Sequence, residues 1–230
     1  MSNFPVVLNE HNIPFAENPD PRLPMTLILD TSYSMDGFKI KALNQGLKKL
    51  WEEVNLDVLT KRRAMISIIG CGAFEPYEIQ PMVTVQDVVD FLPEDLEASG
   101  GTPMDQSLTM ALDKIEMTKQ TIRSNDGQYF RPLIFILSDG EFHLSDSTKM
   151  RLHREVNEEK VKVIPFGVGH DADTSSLAAT NPSGLAIQLE EQHFGEFFEF
   201  LSASISVGSQ DTTSDEKTVE ATQNMRVIHL

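Results

Sequence analysis

Short apolar runs, each closed by Pro, Gly or Asp, alternate along this chain with longer segments of helical spacing, and that alternation leaves few folds open. Residues 25–29 (MTLIL), 133–137 (LIFIL) and 161–168 (VKVIPFGV) read as strands buried on both faces. Residues 64–69 form a fourth run, 185–189 a weaker fifth, and 77–81 a short additional strand. Pro165 weakens the third run, because it cannot donate a ladder hydrogen bond. Between the runs, Ile40, Leu43, Leu47, Leu50 and Val54, and then Leu108, Ala111, Leu112 and Ile115, recur at helical intervals with charged residues elsewhere. The expected class is α/β: a single doubly wound, mostly parallel sheet flanked by helices, with one short antiparallel edge strand. An end helix over 194–207 would pack Phe197, Phe198 and Leu201 on the sheet.

A chain of 230 residues fits one large domain with tails. The expected division is an extension over 1–22, a folded domain over 23–207 and a flexible tail over 208–230. The extension carries four prolines and little periodicity, so it drapes over the surface or stays mobile. Residues 208–224 are polar and read as disordered, and 225–230 turn apolar again as a frayed terminus, or alternatively a short docking segment. Nineteen basic against 35 acidic side chains give a net charge of -16, which repels phosphate backbones and anionic membranes and argues against nucleic acid as a partner. Cys71, the single cysteine, excludes an internal disulfide and a multi-thiolate zinc site. No run is apolar enough to span a bilayer, and 1–24 has neither a basic leader nor a secretory apolar segment, so the expected address is the cytoplasm.

Three segments carry hard oxygen donors at strand and loop ends: Asp30, Ser32 and Ser34 in Asp-Thr-Ser-Tyr-Ser, Thr102 in Gly-Gly-Thr-Pro, and Asp139 in Leu-Ser-Asp-Gly. In an open sheet, ligands gather outside the carboxyl ends of the strands, where Asp30 and Asp139 would converge. Two carboxylates and three hydroxyls, with no His or Cys, are ligands for Mg²⁺, with Mn²⁺ as the alternative, rather than for zinc or copper. Singly, each piece reads as an ordinary N-cap or turn. The three in this order point to a metal site with one position left for a partner's carboxylate.

Together these pieces resemble the metal-ion-dependent adhesion site (MIDAS) of von Willebrand factor A domains, and the resemblance implies that Rossmann-like fold. Leu43-Asn44-Gln45-Gly46-Leu47, the stretch from Leu96 to Thr102, Phe166-Gly167-Val168-Gly169 and the stretch from Phe197 to Ser206 are similar to the TerY-like branch, found in bacterial tellurite-resistance and stress-response clusters. The resemblance covers about Leu23 to Ser209. It implies Ser32, Ser34 and Thr102 as direct ligands, with Asp30 and Asp139 bound through water or alternating with direct contact. It also implies a PP2C-type phosphatase and a serine/threonine kinase-like protein as partners. Tyr33 departs from the family's usual Gly and places a ring at the rim. Glu141 to Asp146 replace its usual Pro-Thr-Asp, and a single cysteine rules out the zinc ribbon of some relatives.

The function expected is therefore a non-enzymatic, metal-dependent protein-binding module that takes a partner's Asp or Glu. The alternative is a metal-dependent phosphoesterase or nuclease using the same carboxylates; no general base or basic phosphate clamp is visible in the motifs. Asp36 and Asp105 are expected either as supports for the hydroxyl ligands or as solvated carboxylates. His143 reads as a solvated loop residue, and His170 to Asp173 as a turn capping a helix from Thr174 rather than a second metal site.

Overall fold

The computed structural model describes residues 18–88, 95–190, 194–210 and 225–229. The apolar runs become strands β1 (Leu23–Asp30), β2 (Ala64–Cys71), β3 (Tyr77–Thr84), β4 (Leu133–Ser138), β5 (Lys162–Val168) and β6 (Leu185–Leu189), joined by a seventh, β7 (Met225–His229). The helices are α1 (Phe38–Leu56), α2 (Val58–Arg63), α3 (Met104–Ser124), α4 (Asp146–Asn157), α5 (Thr174–Ala178) and α6 (Phe194–Gln210). The strand order is β3-β2-β1-β4-β5-β6-β7, parallel throughout except for β3 and β7 at the two edges. The doubly wound class expected from the sequence is the one found. The sheet differs in having two antiparallel edges rather than one.

The second edge comes from the stretch assigned to the tail. Met225 pairs with Leu189, Val227 with Ile187 and His229 with Leu185. An apolar segment of this kind is satisfied by the open backbone donors and acceptors of β6. α6 likewise runs past 207, to Gln210. At the other end, the described part of the extension is fastened to the body: Asn18 and Arg22 are buried, Arg22 N donates to Gln128 O at 2.8 Å and Phe130 N to Arg22 O at 2.8 Å. Residues 1–17 and 211–224, also assigned to the terminal segments, lie outside the described residues.

Side chains that alternate along each strand divide the core into two clusters, one per face of the sheet. Met25, Leu27 and Leu29 face α1 and α6 in one cluster, and Ile28 joins Leu108, Ala111, Leu112 and Ile115 of α3 in the other. α6 is seated by aromatic edge contacts, Phe166 to Phe197 at 4.8 Å and to Phe200 at 5.5 Å between ring centroids. Trp51 packs partly buried against the same cluster. Pro165 is tolerated in β5 because the β6 ladder begins only at Phe166.

The chain runs from β1 outward to β2 and β3, then returns to β4 on the other side of β1. The reversal of strand order therefore lies between β1 and β4, whose carboxyl ends carry the candidate ligands.

Candidate metal centre

Asp30, the last residue of β1, is wholly buried. Its Oδ1 accepts the backbone N–H of Ser32 at 2.8 Å, and its Oδ2 accepts the Ser138 hydroxyl from the end of β4. Burial pushes its pKa up, against the hydrogen bonds from Ser138 and Ser32, and the nearby charge of Asp139 pushes the same way. A cation at this point would relieve both.

The chain after Asp30 makes one tight turn, Tyr33–Met35, that stacks the two serines. Ser32 Oγ and Ser34 Oγ lie 2.9 Å apart, and Ser34 Oγ donates to Asp139 Oδ1 at 2.7 Å. Asp139 follows β4 directly. Thr102 arrives from a third segment, which is laid against the β1 loop by backbone bonds: Tyr33 N to Gly100 O at 3.1 Å and Ser99 N to Thr31 O at 2.7 Å. Gly100 has φ +66°, and a Cβ there would sit 2.3 Å from Ala73 O, so only glycine allows this approach. At Gly140, a Cβ would lie 3.6 Å from Ser34 Oγ and 3.8 Å from Thr102 Oγ1, which places both hydroxyls beside that residue. All five residues singled out in the sequence thus meet at the carboxyl end of the sheet, from buried Asp30 at the base to exposed Ser34 at the mouth.

This donor set fits a hard divalent ion: two carboxylates and three hydroxyls, all oxygen, from rigid strand ends and loops tied to them. Among the described residues no group of three His, Cys, Asp or Glu side chains forms a metal cluster, so hydroxyls are integral to any site here.

One residue at the centre was not read from the sequence. Lys39, in the first turn of α1, pairs its Nζ with Asp139 Oδ2, the side chains being 21% and 3% exposed. The signal available was a lysine at a helix N-terminus with no acidic residue in the first turn, against the helix dipole.

Asp36 accepts the Gly37 N–H at 2.8 Å and is exposed. Asp105 accepts the Ser145 N–H at 2.8 Å and its hydroxyl at 3.0 Å, tying the loop after Asp139 to α3. Partial burial would raise its pKa, but those bonds outweigh it and hold the carboxyl below its ordinary value. His143 is exposed. Asp173 accepts the Ser175 N–H at 3.0 Å and caps α5, while the His170 ring pairs with its exposed neighbour Asp171.

The fold is that of von Willebrand factor A domains. It superposes on a von Willebrand factor type A protein of Catenulispora acidiphila with a TM-score of 0.58 at 16% identity, over 80% of this chain and 43% of that one. With the vWF domain of the type V pili tip protein of Porphyromonas gingivalis the TM-score is 0.60 at 10% identity, over 85% and 98% of the two chains. The mussel byssus proximal thread matrix protein 1, in a structure whose MIDAS motif is occupied by zinc, gives 0.53 at 12% identity, over 82% and 49%. The chain spans less than half the length of the mussel and Catenulispora proteins. No family model matches the chain, and no curated protein does.

Proposed function

We propose that this chain is a non-catalytic, metal-ion-dependent protein-binding module. Ser32, Ser34 and Thr102 would hold Mg²⁺ or Mn²⁺ directly, and Asp30 and Asp139 would hold it directly or through water. The bound ion supplies a Lewis-acidic position open to an Asp or Glu of a partner protein. Asp30 anchors the β1 turn through Ser32, the Ser138 hydroxyl orients Asp30, and Asp105 steadies the loop that carries Asp139.

The observation that carries the reading is the convergence of Ser32, Ser34, Thr102 and Asp139 above a buried Asp30 at the reversal of strand order. Exposed aromatic side chains adjoin the site residues in the chain: Tyr33 (71% exposed) between the two serines, Phe38 (61%) next to Lys39 and, on the loop bonded to the Gly100 segment, Phe74 (93%). Such a surface suits an acidic side chain flanked by apolar ones. Among the described residues, no helix is long and apolar enough to cross a membrane. The resemblance of the sequence segments to the TerY-like branch implies a stress-cluster setting with phosphatase and kinase-like partners, and the composition points to a cytoplasmic address.

Calorimetry with MgCl₂ and MnCl₂ tests the reading. One ion per chain is expected, with at least about tenfold weaker binding in Ser32→Ala and in Thr102→Ala. Glutarate, as a probe carboxylate, should lower the water relaxivity of the Mn²⁺-loaded protein by filling the open position. Absence of uptake of either ion overturns the reading, and Mg²⁺-dependent phosphate release abolished by Asp30→Ala would replace it with the hydrolase alternative.

A further inference from the structure

Asp139 has both carboxylate oxygens engaged by donors from this chain. Ser34 Oγ donates to Oδ1 at 2.7 Å, and the Lys39 ammonium bonds Oδ2. The carboxylate is 3% exposed, so the pair is screened far less than a surface ion pair. Lys39 reaches it from the second residue of α1, after Gly37 turns the chain into the helix at φ +86°. A lysine there works against the positive end of the helix dipole, which costs stability unless the charge is used elsewhere.

We propose that Lys39 is a tethered counter-charge of the metal centre, one that neutralises Asp139 when no ion is bound and competes with the ion for it. This rests on the reading of the five oxygen-bearing residues as a metal site. An incoming divalent ion meets Asp139 already paired, and it must draw that carboxylate away from the ammonium before both of its oxygens are available. Lys39 therefore weakens metal binding and holds the Ser34–Asp139 contact together in its absence, so the site stays assembled between ions. The flexible four-carbon stem lets the ammonium withdraw without moving α1.

The test is titration of MnCl₂ and MgCl₂ into wild type, Lys39→Gln and Lys39→Arg by calorimetry, with thermal unfolding of each protein in chelator. Removing a charge-assisted bond that competes with the ion should tighten Mn²⁺ binding about tenfold or more in Lys39→Gln, while Lys39→Arg stays near wild type. The metal-free melting temperature should fall in Lys39→Gln. A purely structural lysine would lower that temperature without tightening the ion. Lys39→Met, which keeps the apolar stem, carries the same measurement should Lys39→Gln fail to fold. If wild type binds the ion and the neutral variants bind it no more tightly, the role of Lys39 is overturned and the metal site stands. If no protein takes up either ion, both fall.

Discussion

Cys71 sits opposite Asp30 across the β1–β2 ladder, at the base of the candidate centre. Its thiol is wholly buried, and burial, reinforced by the Asp30 charge against a hydrogen bond from Ser107, pushes its pKa up to about 12 from 9.0. Below pH 9 the thiol is protonated in both folded and unfolded chains and contributes nothing to the pH dependence. Above it the unfolded chain releases the proton and the folded one does not, so stability falls as pH rises towards 12. Between pH 8 and pH 10 wild type should lose about 1.4 kcal/mol more than Cys71→Ala, read from urea midpoints. Equal slopes for the two proteins would contradict this burial argument. In the folded protein at pH 8, the same thiol should resist alkylation until urea opens the sheet.

At the scale of elements, α6 is fitted to α1 through a single missing side chain. A Cβ on Gly46 would lie 1.9 Å from the Phe198 ring, so Gly46→Ala must displace that ring or the helix that carries it. Alanine gains about 1 kcal/mol of helix propensity, while overpacking costs about 1–3 kcal/mol. The net effect expected is a loss of about 0–2 kcal/mol. Adding Phe198→Ala should remove most of the penalty of Gly46→Ala, and simple additivity in the double-mutant cycle would show that the two do not meet. β1, β2, β4 and β5, with α1, α3 and α6, were legible in the sequence because each buries an unbroken or periodic apolar face. α4 was not, since it buries only Thr148 and Leu152 and starts from a Ser145 cap with no apolar period behind it. β7 was read as a frayed terminus or a short docking segment for a related reason: an edge strand that pairs on one side needs only five residues, and nothing local announces the partner 36 positions earlier that Met225 finds in Leu189. The gathering of Asp30, Ser32, Ser34, Thr102 and Asp139 was foreseeable because strand ends fix where carboxylates point. Lys39 escaped because a lysine on a helix looks like any solvated charge until the fold brings it to Asp139.

Across the whole molecule, 16 excess negative charges favour any cation non-specifically, while the centre offers one place where a divalent ion would be held by name. The two effects separate by their magnitude and by their response to mutation. An ion that binds the folded chain alone, at a hundred times its dissociation constant, stabilises by about 2.7 kcal/mol, or roughly 5–10 °C in melting temperature for a domain of this size. Screening by NaCl of equal ionic strength acts on the diffuse charge and should give a smaller shift. Ser32→Ala should keep the NaCl increment and lose most of the increment specific to MgCl₂, and chelator should return wild type to its NaCl baseline. Identical MgCl₂ and NaCl curves for wild type would mean that the charge of the chain, and not the pocket at the reversal of its strands, accounts for every response to cations. An increment surviving in Ser32→Ala would place the ion elsewhere on the acidic surface.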